Sequence, residues 1–73
     1  MENNLRLPMF RVSELIRTFH ITPQCTITKD MLVAVTNWFG LTDQSARDVL
    51  VAVRTVSDNP KELLIPVVLV DYM

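Results

Sequence analysis

The chain has 73 residues, 49% of them hydrophobic, with a formal net charge of -1, one glycine, four prolines and one cysteine. Low hydrophobicity with high net charge marks chains that cannot offset their ordering entropy; this sequence has neither, which excludes disorder and leaves one domain spanning 1–73. A domain this small buries only about 60% of the surface its unfolded form exposes, so an apolar fraction this high leaves apolar surface for a partner.

The first periodic segment follows Pro8, which suits a first helical turn because its missing N–H would have no partner there. Met9, Val12, Leu15, Ile16 and Phe19 recur at helical spacing and predict a helix from about Pro8 to His20, with Arg11, Glu14 and Arg17 on the wet side. Ile21 to Thr28 reads as a loop, with a short strand at Thr26 and Ile27 as an option. Thr28 can cap a second helix, with Asp30 complementing the positive end of its dipole. Met31, Leu32, Val35, Trp38 and Phe39 form its apolar stripe, and Gly40 supplies a left-handed stop.

Thr42 caps a third helix running to about Val56, with Ala46, Val49, Leu50 and Val53 buried. The order Asn59, Pro60, Lys61, Glu62 reads as cap, first-turn proline and acid, and predicts a fourth helix. Beyond Pro66 two continuations stay open, a kinked helix to Tyr72 or a strand beginning near Val67. The expected fold is therefore all-α: three to four short helices, with a minor strand before the second helix or at the C-terminus.

A lone Cys25 cannot close an intramolecular disulfide, which points to a reducing, cytoplasmic setting. Arg6, Arg11 and Arg17 interrupt any apolar run near the amino terminus, so no signal peptide is expected. Leu63 to Val70 is far short of the roughly 20 residues that cross a bilayer, so no membrane role is expected either. Those eight residues carry no charge, however, and they predict self-association, with a symmetric homodimer as the default. His20 and Cys25 lack the orienting and oxyanion groups of a nucleophilic site, and one His with one Cys makes no tetrahedral metal set. With a single glycine there is no phosphate loop. The expectation is a protein that is not an enzyme and uses no metal or cofactor.

Between Leu32 and Val51, Gly40 sits at a turn flanked by Val35, Phe39, Leu41, Ala46 and Val49. This pattern resembles the helix-turn-helix unit of the helix-turn-helix and winged-helix DNA-binding regulators, with the similar segment spanning 28–56. Thr36 stands where that family often has alanine, and no clear two-strand wing follows Val56. The resemblance implies a dimeric transcriptional regulator that binds double-stranded DNA. It places Thr42, Gln44, Arg47, Asp48 and Val51 on the exposed face of a recognition helix. Gln44 and Arg47 would read adenine and guanine, and Arg54, with Lys29 or Arg17, would meet phosphates.

Electrostatics opens a second reading. Up to Lys29 the basic residues Arg6, Arg11, Arg17 and Lys29 face Glu2 and Glu14, whereas from Asp30 onward acids predominate. Asp43 and Asp48 on the third helix would repel a phosphate backbone. The face of Gln44, Arg47, Asp48 and Val51 equally suits a protein interface, making the chain a small helical adaptor or inhibitor that binds another protein. A weaker resemblance, of Phe39, Gly40 and Leu41 to the turn of the ubiquitin-associated domain, would expose Trp38, Phe39 and Leu41 as a patch instead of the core that their spacing predicts.

Overall fold

The computed structural model describes residues 2–70. Three helices form where local chemistry places them. Helix α1 spans Met9–Phe19; Pro8 is its extended N-cap, and the Pro8 carbonyl accepts the Arg11 and Val12 N–H groups. It ends at His20, a non-glycine residue in the left-handed region (φ 54°). Helix α2 spans Lys29–Phe39, and the Thr28 hydroxyl accepts the Met31 N–H while the Met31 thioether accepts the Thr28 N–H in return. Gly40 stops α2 at φ 65°. A Cβ built on Gly40 would meet nothing within 4 Å, so glycine contributes the backbone angle and not room. Helix α3 spans Asp43–Thr55 behind the Thr42 cap, whose hydroxyl accepts the Ser45 N–H.

The remainder corrects the all-α expectation. Strand β1, Glu2–Leu7, pairs antiparallel with strand β2, Leu63–Val68, in a two-stranded sheet, and the chain is a small mixed α/β domain. Among the described residues no fourth helix forms, since Asn59, Pro60, Lys61 and Glu62 lead straight into β2. The strand option after Pro66 holds in kind, but the strand starts earlier, at Leu63. Thr26 and Ile27 form no strand, and Tyr72, where a continued helix would end, lies outside the described residues.

Backbone parity explains how Pro66 sits inside β2. Val68 donates its N–H to the Ser45 hydroxyl (2.6 Å) and accepts the Thr42 N–H (3.1 Å), both on the side away from β1. Backbone groups alternate sides along a strand, so Pro66 shares the orientation of Val68 and its missing N–H removes no bond to β1. The sheet faces the helices with Leu7, Ile65 and Val67, all buried. These pack with Val12, Leu15, Ile21, Met31, Val35, Leu41, Ala46, Val49, Leu50 and Val53 in a single core. The apolar stripes are narrower than the spacing predicts: Met9 at the start of α1 and Trp38 in α2 are both exposed, and Phe39 is only partly buried.

Candidate interaction face on helix α3 and strand β2

The turn between α2 and α3 is laced to the end of β2. Thr42 donates to the Val68 carbonyl, Val70 donates to the Gly40 carbonyl (2.8 Å), and Leu41 forms an isolated bridge with Leu69. Ser45 completes the seam as the only buried polar residue among those described, its hydroxyl accepting from Val68. The result is a fixed angle between α3 and β2, with a shallow groove lined by Thr42, Gln44, Asp48, Pro66 and Val68.

The five residues expected to carry the site are divided by this geometry. Arg47 and Val51 lie exposed on α3, Val51 at 38%. Gln44 is exposed too, but its side-chain N–H donates to the Asp48 carboxylate (3.1 Å), one helical turn away. Thr42 is half-buried, its hydroxyl serving as the helix cap and its N–H committed to Val68. Arg54 is turned away from the others: its guanidinium donates to the Cys25 carbonyl (3.0 Å) and ties α3 to the loop before α2. That bond satisfies a loop carbonyl which no helix or sheet would otherwise serve.

The exposed side of α3 therefore presents one guanidinium, Arg47, beside two carboxylates, Asp43 and Asp48. Across the groove the outer face of β2 is apolar, with Leu64 67% exposed, Pro66 exposed and Val68 40% exposed. Sequence reasoning missed Ser45, although a signal was present. It lies four residues before Val49 and eight before Val53 on the buried stripe, where a hydroxyl implies a buried hydrogen-bond partner.

A second exposed patch lies on the helices. Trp38 (54% exposed) packs against Phe19 with ring centroids 5.6 Å apart, and a shallow cleft beside it is lined by Arg11, Glu14 and Phe39. Arg11 donates to Glu14 (2.7 Å) across one turn. Leu41 is almost fully buried, so it takes no part in an exposed patch with Trp38.

The sheet carries one further charged contact. Arg6 holds Glu62 through two N–H···O bonds of 3.1 Å. Hydrogen bonding to Arg6, and then its charge, holds the Glu62 carboxyl below its ordinary value of 4.5. A depressed carboxylate stabilises the fold above its unfolded-state value, and that contribution is lost as the pH falls through the folded value. Both groups are solvent-exposed, so the effect on stability is small. In an Arg6→Gln variant the Glu62 carboxyl is expected to titrate at higher pH, read from its side-chain carbon shift; an unchanged midpoint would show that the pair does not form in solution.

Among the described residues no three His, Cys, Asp or Glu side chains cluster to hold a metal ion, and no helix is long and apolar enough to cross a membrane. Comparison with family models, curated proteins and solved structures gives no match.

Proposed function

We propose that the chain is a small interaction module that docks another protein through the face formed by α3 and the outer side of β2. The observation that carries this reading is the composition of that face: Val51, Leu64, Pro66 and Val68 exposed beside an Arg47 flanked by Asp43 and Asp48. Apolar side chains ringed by mixed charge suit a protein interface, and an arginine at such a position is a common anchor.

A DNA-reading role is the second reading, favoured by one feature. The Gly40 stop, the short turn and the Thr42 cap follow one another in the order a helix-turn-helix uses, and Gln44 and Arg47 are exposed on α3. Electrostatics ranks it second. Phosphate contacts supply most nonspecific affinity, each changing the salt slope by about one unit. Arg54 is committed to Cys25, and Asp43 and Asp48 would stand against the phosphates.

One experiment separates the two. The tagged protein is used to isolate partners from its native extract with and without nuclease, alongside titration of labelled duplex DNA into the purified protein at low salt. A stoichiometric protein that survives nuclease and is released by Val51→Asp is the expected result, with no shift of any duplex. Loss of every partner on nuclease treatment, together with a duplex affinity that Arg47→Ala weakens, would overturn the protein-docking reading in favour of DNA.

A further inference from the structure

The two edges of the sheet are treated differently. The far edge of β2 is closed: Thr42 and Ser45 bond Val68, Gly40 bonds Val70, and Pro66 removes a donor lower down. The far edge of β1 is not closed in this way: from Glu2 to Leu7 there is no proline, lysine or bulge, and its charges, Glu2 and Arg6, are of opposite sign. The parity that turns Pro66 away from β1 also turns the backbone groups of its partner Asn4, and those of Glu2 and Arg6, away from β2. The Asn4 N–H agrees, since it is held by the neighbouring Asn3 side-chain oxygen (2.8 Å) and not by the ladder. Among the described residues no other backbone bond reaches this edge.

We infer that this edge is the seat of a second copy of the chain, β1 pairing antiparallel with β1 about a two-fold axis at Asn4 to make one four-stranded sheet. The sequence of β1 is self-complementary in that register. Asn4 meets Asn4 of the second copy, and the acidic position Glu2 falls opposite the basic position Arg6, whose guanidinium also holds Glu62 of its own chain, at both ends. The Asn4 N–H exchanges the Asn3 side-chain oxygen for the Asn4 carbonyl of the second copy, and the reciprocal bond forms across the axis. Because the contact is short, the dimer is a weak one, and it is independent of what α3 and β2 bind.

Asn4→Pro tests it selectively, because that N–H is not used by β2 and a proline already occupies the facing position. Sedimentation of the wild-type chain at about 0.5 mM is expected to show dimer, and Asn4→Pro to weaken association at least about tenfold while the circular dichroism is unchanged. Should Asn4→Pro fail to fold, charge reversal decides. Arg6→Glu is expected to dissociate the dimer, and Glu2→Arg with Arg6→Glu to restore it, whereas Glu62→Gln leaves it intact. A wild-type monomer at that concentration, a dimer indifferent to both edge variants, or a double reversal that restores nothing would each overturn the inference.

Discussion

Leu7→Ala is expected to cost about 2–5 kcal/mol, a large part of the stability of a domain this small, which is about 5–15 kcal/mol at most. Leu7 closes β1 against the core and is 1% exposed, so its truncation opens a cavity beneath the sheet that the helices cannot fill without moving. Leu64 is the matched control. It has the same side chain in the neighbouring strand, but it projects from the outer face opposite Arg6, and Leu64→Ala is expected to stay within about 0.5 kcal/mol. Urea unfolding of the two variants checks both values. A wild-type midpoint for Leu7→Ala would mean that the amino-terminal segment does not cover the core in solution.

Ser45→Ala is the second large effect, expected at about 1–3 kcal/mol, because the part-buried Val68 N–H would lose its partner and the Ser45 site is itself buried. Alanine is the better helix former by roughly half a kcal/mol, which offsets part of the loss. The local signature is therefore more telling than the total. Hydrogen exchange at the Val68 amide is expected to quicken far more than at the amides of Val49 or Val53, since only the seam between α3 and β2 loses a bond. Equal exchange at Val68 in the variant and the wild type would show that another group holds that amide. The seam also positions the proposed docking face, so partner binding is expected to weaken in Ser45→Ala even though Val51 and Arg47 are untouched.

The helices were legible because their signals are local. Thr28 and Thr42 accept an N–H from three residues on, Gly40 adopts the one backbone angle that other residues resist, and stripes such as Ala46, Val49, Leu50 and Val53 repeat at the helical period. The outward placement of Arg47 and Val51 follows from the same periodicity. The sheet was not legible in this way. The run from Glu2 to Leu7 has two asparagines and only a short alternation of Leu5 and Leu7, a composition poor in strand formers, and it becomes a strand because a segment some sixty residues later offers a ladder.

The fate of Asn59 to Glu62 shows the same competition from the other side. Its cap and first-turn proline are sound helix signals. The uncharged, branched run beyond it is drawn instead into pairing with β1, and Pro66 is harmless there because of its parity. Arg54 and Ser45 divide the site likewise. Helical spacing places each on its side of α3, but the Cys25 carbonyl and the Val68 N–H that engage them come from distant parts of the chain. Sequence alone determined where α1, α2 and α3 start, stop and turn, since those choices rest on neighbours within about four residues. Tertiary structure alone decided that β1 forms and pairs with β2, the exposure of Trp38 and which polar groups remain free to meet a partner, because each depends on backbone donors, acceptors and apolar faces brought together only when the chain closes.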